Sequence, residues 1–527
     1  MINKVNKGIK IKNLIKVLLL LPVVFPVNAV AIKGDFSAID RYVNAAKEVI
    51  GLPTGTAIAI VKDGKIVYQG YFGYADIEKG IKVNNETAFY IASVTKPLYA
   101  LSTLLMEEKG DIHDTTTLAE MFPKLMFWNI DASKIQLANL MSHTAAIKNT
   151  PLVVSLAFTG EHDAKRRQNL LTMTVNDKKN TLGKFSYTNL GYNIASIWAE
   201  QYYHKEWQEL LSESIYEPLG MTHTSSYMSD ASTKGISVAR PYGVNSSDPK
   251  QILAFEKSNQ TMHAAGGAIS TVKDFSRFLI AELNQGKVDN KQIFPASVIK
   301  KSQQQLVEQH NSYRDFKRTG YSWGWQIGPY KGEKMYHHFG GVAGTHAHSS
   351  FMLDHNIGLV VFNNESLMSS KLTNAIADIA YSILLDKGDA NSKVKKHIKA
   401  MKKSWAKVRK DIKKLRKTVA KRNASRTMEL SQDKVEYTGE YFNSSWGKAI
   451  VELDKNNQFK FTLGQLSTIA TAYTIKDTMR VEFSAMGRGM VVAYKISDGR
   501  VKSFEIFGEI SAEFEKLHPL TSKKTNK

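Results

Sequence analysis

Alternating apolar and polar positions divide the first two thirds of the chain into strands and helices. Residues 56–68 read as two strands joined by a tight Asp-Gly turn, and residues 350–362 read as a second hairpin. Leucines recur at helical spacing over residues 93–109, which predicts a helix. Strands at both ends of a long block with helices between them indicate an α+β domain, which we assign to residues 37–386.

A different pattern follows at residues 391–430. Apolar residues there alternate steps of four and three, which predicts one amphipathic helix with a seam of period 3.5. The seam consists of Val394, Ile398, Met401, Trp405, Val408, Ile412, Leu415 and Val419. Two interpretations of this linking helix stay open. The seam docks on a neighbouring domain and leaves the lysines in water, or the helix is an arm for an anionic envelope surface.

Short strands succeed one another over residues 435–518. Stretches such as 448–453 and 458–463 alternate apolar and polar residues and are separated by turn residues. This pattern predicts a small antiparallel β-barrel or sandwich. The expected fold is therefore an α+β domain with an antiparallel sheet flanked by helices and a helical region, then a linking helix and a small β-barrel.

The amino-acid composition excludes several classes of function. The chain has 527 residues, 43% apolar and 23% charged, which is a globular composition with ample material for a core. It has no cysteine, so disulfides, thiolate catalysis, cysteine zinc sites and iron–sulfur clusters are excluded.

The basic excess is a local property of the chain. The formal net charge is +22, and the stretch 393–426 holds sixteen Lys or Arg against the single acid Asp411, which is +15. All other residues therefore carry +22 − 15 = +7. Apart from Trp405, that stretch has no aromatic residues on which bases could stack, so we expect no nucleic-acid partner.

The first residues have the pattern of a targeting segment. Lysines at positions 4, 7, 10, 12 and 16 precede an apolar run at residues 17–27, and small residues follow up to Ala31. This arrangement predicts a secretory signal peptide over residues 1–31, and hence a periplasmic or secreted bacterial protein. An uncleaved N-terminal anchor is the alternative.

Three motifs carry candidate chemistry, and the first is Ser93-Val-Thr-Lys96. A serine and a lysine three residues apart at a helix start lie on one face, so the amine of Lys96 can approach the hydroxyl of Ser93. A serine hydroxyl is a poor nucleophile until a neighbouring base takes its proton. Such a pair is common by chance and proves little alone.

The second motif is Tyr187-Thr-Asn189, with a phenol and an amide on one side of an extended loop. A phenol near an ammonium has its deprotonated form favoured, so Tyr187 is a candidate base, and Asn189 can bind a substrate carbonyl. Which of Lys96 and Tyr187 is the base stays open.

The third motif is His338-Phe-Gly340-Gly341, just before the second hairpin. Its glycines let a substrate lie against the backbone and free an N–H to join that of Ser93 in an oxyanion hole. His338 is expected to face the site as a hydrogen-bond donor or a cation. A zinc site among the neighbouring histidines is the alternative, and we expect no metal because no Asp or Glu stands at ligand spacing.

In this order the three motifs resemble the serine β-lactamase and penicillin-binding superfamily. The nearest likeness is to its class C β-lactamase-related branch, which also contains D,D-peptidases, D-aminopeptidases and esterases. Further phrases match that branch: Leu140–Thr144, Glu217–Met221 and Ala265–Thr271. The likeness covers about residues 37–385. The region from Tyr437 resembles the lipocalin-like domain often appended to such enzymes.

The resemblance implies roles and an activity. Ser93 would be the acylated nucleophile, Lys96 and Tyr187 would share acid–base work, Asn189 would bind the substrate amide, and Ser93 and Gly341 would hold the oxyanion. No cofactor is implied. The histidine motif replaces the Lys-Thr-Gly of the β-lactamases, and histidine is only partly charged near neutrality.

The expected function is therefore a serine hydrolase for a D-amino-acid peptide, of D,D-carboxypeptidase or D-aminopeptidase type. A small-ester esterase or a weak β-lactamase is the alternative. An alternative of another class is a non-catalytic envelope-binding protein. Expected partners are a small-molecule or peptide substrate and an anionic envelope surface contacted by the basic helix.

Overall fold

The computed structural model describes residues 35–243, 255–483, 485–486, 489–508 and 510–518. The predicted signal peptide lies outside the described residues. The helices are α1 (Ser37–Ile50), α2 (Thr95–Glu108), α3 (Leu118–Met121), α4 (Leu137–Met141), α5 (Thr150–Val154), α6 (Ala164–Leu171), α7 (Leu190–Tyr203), α8 (Trp207–Leu211), α9 (Glu217–Leu219), α10 (Asp230–Thr233), α11 (Val272–Leu283), α12 (Ala296–Ser302), α13 (Ser369–Leu384) and α14 (Ala390–Ala424).

The strands of the first two thirds are β1 (Thr56–Lys62), β2 (Lys65–Phe72), β3 (Tyr74–Asp76), β4 (Ile81–Lys82), β5 (Phe89–Tyr90), β6 (Ile147–Lys148), β7 (Val175–Asn176), β8 (Ile269–Ser270), β9 (Lys287–Val288), β10 (Lys291–Gln292), β11 (Val307–Tyr313), β12 (Phe316–Tyr321), β13 (Gln326–Tyr330), β14 (Glu333–Val342), β15 (Thr345–Met352) and β16 (Ile357–Asn363). The C-terminal strands are β17 (Gly439–Asn443), β18 (Gly447–Leu453), β19 (Phe459–Leu463), β20 (Leu466–Ile469), β21 (Thr471–Ala472), β22 (Thr478–Glu482), β23 (Gly489–Ser497), β24 (Arg500–Phe507) and β25 (Ala512–His518).

An antiparallel sheet with helices on both faces forms the centre of the larger part of the molecule. Its strand order is β11-β12-β13-β14-β15-β16-β1-β2, so the two predicted hairpins lie side by side. Strand β1 explains why: Ala57 and Ala59 point to the core that contains α2 and α11, while Ile58 and Ile60 point to the core under α1 and α13. A strand buried on both faces reads as a continuous apolar run.

The basic helix α14 docks on the α+β part of the molecule through its first half. Met401 of the predicted seam is buried, whereas Leu415 is 56% exposed. Lys393 and His397 also bind the carboxylate of Asp378 on α13, at 3.2 and 2.7 Å. The seam therefore docks as far as Val408. In the second half of the helix Leu415 and the lysines are exposed, Ile412 and Val419 are half-buried, and Arg422 pairs with Glu482 of β22 at 3.1 Å. The helix ends at Ala424, six residues before the predicted end.

The C-terminal strands form one nine-stranded antiparallel sheet that nearly closes into a barrel. Apolar residues on alternate positions, such as Val451, Phe461 and Phe504, fill its interior. Its β19–β20 turn contacts the other part of the chain, because the N–H of Gln465 donates to the carbonyl of Thr159 at 2.8 Å. The predicted fold class is confirmed; the lipocalin likeness stays a prediction.

Candidate active site

Ser93 lies in a single 3₁₀ turn, Ala92–Val94, which leads directly into α2. Ala92 has φ +47°, in the left-handed region that non-glycine residues rarely adopt. This bend brings Ser93 to the start of the helix. Strand β14 lies directly against the turn, since a Cβ on Gly340 would stand 2.1 Å from the carbonyl oxygen of Ile91. Only glycine permits that approach.

Lys96 is fully buried and makes three hydrogen bonds. Its Nζ lies 3.1 Å from Oγ of Ser93, 2.8 Å from Oδ1 of Asn189 and 2.7 Å from the carbonyl oxygen of Ala265. Burial lowers the pKa of Lys96 well below its usual value, and no carboxylate is among these partners. The amine is therefore poised to exist in its neutral form next to the serine.

Tyr187 borders the same space from the loop that precedes α7. The amine of Lys96 lies 4.9 Å from the centre of its ring, and the ring of His338 lies 6.1 Å away. Desolvation raises the pKa of Tyr187 to about 12, although a hydrogen bond with Ser93 and the charge of Arg318 act in the opposite direction. The ring is 44% exposed, so water offsets part of this desolvation. Tyr187 is a neutral phenol at pH 7.

His338 carries no positive charge in this environment. Burial lowers its pKa well below the usual range, and the charge of Arg318 and that of Lys96 in its protonated form lower it further. Its Nδ1 lies 2.8 Å from the carbonyl oxygen of Phe339, so Nδ1 holds the proton and donates. The buried Nε2, which has no hydrogen-bond partner among the described residues, is then a lone-pair acceptor. This differs from the expected donor or cation, because the sequence could not show the burial.

The two glycines of the third motif differ in how much space surrounds them. Gly340 is required by the close approach to Ile91, as described above. A Cβ on Gly341 would meet only the carbonyl oxygen of Thr345, at 3.7 Å. Gly341 stands opposite His346 in the β14–β15 ladder, near the end of β14. Packing therefore explains Gly340 and leaves Gly341 free for a role in binding.

The histidines around the third motif lie on two faces of the central sheet. His346 and His348 pack their rings against Phe339, at 5.8 and 4.3 Å, on the face opposite His338. In the parts of the chain that the structure describes, no three His, Asp or Glu side chains come together as ligands. Nor does any described helix have the length and apolarity needed to cross a bilayer.

Three residues that contribute to the site were not predicted from the sequence. Ala265 supplies the carbonyl that holds Lys96, and it lies in one of the matching phrases, Ala265–Thr271. His143, in another matching phrase, contacts the ring of Tyr187 at 4.4 Å. Arg318 stands on β12, two strands from His338, and only the strand order reveals that it is near.

Comparison with known proteins identifies the family. The model of the Beta-lactamase family matches residues 46–380, and the chain belongs to that family. The predicted membership of the β-lactamase and penicillin-binding superfamily is confirmed.

Individual relatives are distant. The penicillin-binding protein PbpX of Bacillus subtilis is 29% identical over 174 residues, which are 33% of this chain and only 41% of that protein's length. Penicillin-binding protein 4* of the same organism is 23% identical over 59% of this chain and 68% of its own.

Two solved structures show the same fold. A penicillin-binding protein homologue from Pyrococcus abyssi aligns with 91% of this chain and all of its own, with a TM-score of 0.58 and 19% identity. The D-amino acid amidase of Ochrobactrum anthropi, solved with L-phenylalanine amide, aligns with 68% of this chain and 99% of its own, with a TM-score of 0.52 and 19% identity.

Proposed function

We propose that this protein is a serine hydrolase that forms an acyl-enzyme on Ser93 and acts on an amide or ester, foremost a D-amino-acid peptide. The observation that carries the proposal is the 3.1 Å contact between the buried amine of Lys96 and Oγ of Ser93. Family membership and the D-amino acid amidase fold relative support the reaction class.

Lys96 is the base in this proposal. A neutral amine has two N–H bonds and one lone pair. Asn189 Oδ1 and the carbonyl oxygen of Ala265 can only accept, so they take the two N–H bonds. The lone pair is left for the Ser93 hydroxyl. The amine takes the Ser93 proton as Oγ attacks the substrate carbonyl carbon.

Tyr187 is the complementary acid. Because its pKa is raised to about 12, it stays protonated and can give its proton to the leaving group as the carbon–nitrogen or carbon–oxygen bond breaks. Lys96 then returns a proton to Tyr187, and water hydrolyses the acyl-enzyme by the reverse use of the same groups. The N–H groups of Ser93 and Gly341 hold the oxyanion.

A substrate carboxylate is most simply bound by Arg318. His338 is neutral, so it offers no cation, whereas the charge of Arg318 reaches both Tyr187 and His338. Arg318 has no ion pair among the described residues, and its guanidinium stands 5.3 Å over the ring of Tyr313. A guanidinium without an ion pair, whose charge acts on Tyr187 and His338, favours a peptide with a terminal carboxylate over a neutral ester.

A substrate panel tests this assignment. The panel holds D-Ala-D-Ala peptides, D-amino-acid amides, p-nitrophenyl esters and nitrocefin, each assayed with the parent and with Ser93→Ala. We expect turnover of the peptides that Ser93→Ala abolishes. Turnover confined to neutral esters would favour the esterase alternative. No turnover and no covalent labelling by a penicillin would support the non-catalytic, envelope-binding alternative.

A second proposed function is contact with an anionic envelope surface through α14. The second half of the helix supports it, because its lysines and Leu415 are exposed while its first half is docked. Binding to anionic vesicles that is lost at high salt, and reduced by charge-reversing Lys413, Lys414 and Lys417, is the expected result. Equal binding to neutral vesicles would contradict it.

Export to the periplasm or medium is likewise a proposal. Its support is the sequence of residues 1–31, a basic stretch followed by an apolar run and small residues. Cell fractionation with N-terminal sequencing of the mature protein tests it. A cytoplasmic protein that retains these residues would contradict it.

A further inference from the structure

His143 lies at the centre of an aromatic cluster beneath the candidate acid. It is 1% exposed. Its ring centre stands 4.4 Å from that of Tyr187, 4.8 Å from Tyr321, 5.5 Å from Tyr192 and 5.8 Å from Phe185. The reaction steps above do not use this imidazole.

Two hydrogen bonds join His143 to the backbone on both sides of Tyr187. The N–H of Ser186 donates to the carbonyl oxygen of His143 at 2.8 Å, and the N–H of Thr188 donates to its Nδ1 at 3.4 Å. The residue before Tyr187 and the residue after it are thus held by one histidine. The imidazole packs against the phenol ring between them.

The tautomer of His143 follows from these partners. Nδ1 accepts from a backbone N–H, so the proton is on Nε2, which donates to the hydroxyl of Tyr321 at 3.1 Å. Burial lowers the pKa of His143 well below its usual value, and the charge of a protonated Lys96 lowers it further. A neutral imidazole with its proton on Nε2 makes every one of these contacts.

The backbone of His143 is strained, with φ +61°. Glycine or asparagine would adopt this conformation more readily than histidine. The strained conformation directs the carbonyl to Ser186 while the side chain reaches Thr188. The contacts of the imidazole must therefore compensate for an unfavourable backbone, which points to a purpose beyond filling space.

We infer that His143 is a positioning residue that fixes the phenol of Tyr187 over Ser93 and Lys96. This inference rests on the proposed function, because it assumes that Tyr187 transfers a proton. His143 touches neither substrate nor the reacting atoms and acts only through Tyr187.

Two substitutions of His143 separate the effect of its ring packing from that of its hydrogen bonds. His143→Phe keeps an aromatic ring and removes both imidazole hydrogen bonds. His143→Asn offers Oδ1 to the N–H of Thr188 and tolerates the left-handed backbone. We expect His143→Phe to lower kcat on the order of 10²-fold with little change in KM, the size of effect that a small misplacement of a reacting group produces. His143→Asn should recover at least about a tenth of the parent kcat.

A double-mutant cycle with Tyr187→Phe provides the decisive readout. If His143 acts through the phenol, adding His143→Phe to Tyr187→Phe should lower kcat no further. Additive losses would overturn the inference, and so would a His143→Phe variant with the parent's kcat and pH profile. Equal losses in His143→Phe and His143→Asn would also overturn it.

One measurement needs no variant. Nitrogen NMR of the parent should show a neutral His143 imidazole with its proton on Nε2 throughout the range from pH 5 to pH 9. Titration of the imidazole within that range would overturn the inference. Labelling of Ser93 by a fluorescent phosphonate is recorded in parallel. An unlabelled parent contradicts the proposed function itself, whereas a labelled parent with an unaffected His143→Phe contradicts only the positioning role.

Discussion

Single residues of this site gain their properties from burial. Lys96 is surrounded by acceptors and has no acid beside it, so its neutral form is favoured. His338 keeps its proton on Nδ1 and faces the site with a lone pair. Burial thus favours the neutral form of Lys96, which is a cation in water at neutral pH, and removes the partial positive charge that His338 would carry there, because desolvation penalises the cation of both.

The pH dependence of catalysis follows from these directions. The pKa of Lys96 is lowered, so the reactive amine is present above that pKa, and kcat/KM should fall only as the pH drops through it. The pKa of His338 is lowered as well, so no loss of affinity should accompany a rise of pH through about 6.5. Profiles of kcat/KM for one carboxylate substrate and one neutral ester check this. A loss near pH 6.5 for the carboxylate substrate alone would show a charged His338.

Arg318 offers a residue-level test of substrate class. Arg318→Met should raise the activation free energy for carboxylate-bearing peptides by about 1.5–3 kcal/mol, because a hydrogen bond to a charged group is lost. This corresponds to a loss of about 10- to 150-fold in kcat/KM. Neutral esters should be little affected. Lys317→Met, at the exposed neighbouring position on β12, is the matched control. Equal losses for both substrate types would mean that Arg318 supports the fold instead.

Helices and strands bring motifs together that are far apart in the sequence. Where two elements pack closely, the close contact can be limited to a single residue. Strand β14 lies against the Ser93 turn at Gly340, while the next residue, Gly341, has room for a side chain. Gly340→Ala should displace the turn, lower the melting temperature and abolish labelling of Ser93. Gly341→Ala should retain the parent's melting temperature. Thermal unfolding of the pair checks this, and equal stability of both variants would contradict the close packing.

The basic helix allows a similar comparison along its own length. Met401→Ala should lower the free energy of unfolding by about 2–5 kcal/mol, because it leaves a cavity between α14 and the sheet-covering helices. Leu415→Ala, at an exposed position of the same seam, should change it by no more than about 0.5 kcal/mol. Denaturant unfolding of both variants measures the difference. Similar values would mean that α14 is not docked through its first half.

The sequence predicted elements better than it predicted their surroundings. The hairpins and the helix after Ser93 are local patterns, and each could be identified from the spacing of its own residues. The three motifs were identified by their order along the chain, because each alone is common by chance. The end of the docked seam could not be predicted, because the same four-three spacing continues past Val408 to Leu415, which is exposed. Arg318 and Ala265 were missed because their nearness to the site depends on the strand order and on a loop path.

At the scale of the whole molecule, the barrel packs against the α+β part at Thr159. Its turn Gly464–Gln465 contacts Thr159. Two residues before Thr159, the carbonyl of Ala157 accepts from Nζ of Lys257, which also donates to the carbonyl of Thr261 at 3.2 Å. Four residues further along the chain, Ala265 holds Lys96. The described residues from Phe36 onward form one compact unit, so the barrel is part of the same structural framework as the α+β part.

Docking of the barrel has a matched test in two glycines. A Cβ on Gly464 would stand 2.0 Å from the carbonyl oxygen of Thr159, whereas one on Gly499, in another barrel turn, meets nothing within 4 Å. Both have positive φ, +54° and +71°, so they share the backbone penalty. Gly464→Ala should lower the melting temperature more than Gly499→Ala and expose the interface to protease. Indistinguishable variants would contradict the docking.

The central claim is that Ser93 becomes acylated. Intact-mass spectrometry after exposure to a penicillin or a fluorescent phosphonate, followed by peptide mapping, tests it most directly. We expect one adduct per chain, located on Ser93, absent in Ser93→Ala and formed at least about 10³-fold more slowly in Lys96→Ala. An adduct that persists unchanged in Ser93→Ala, or the absence of any adduct with every acylating reagent, would contradict it.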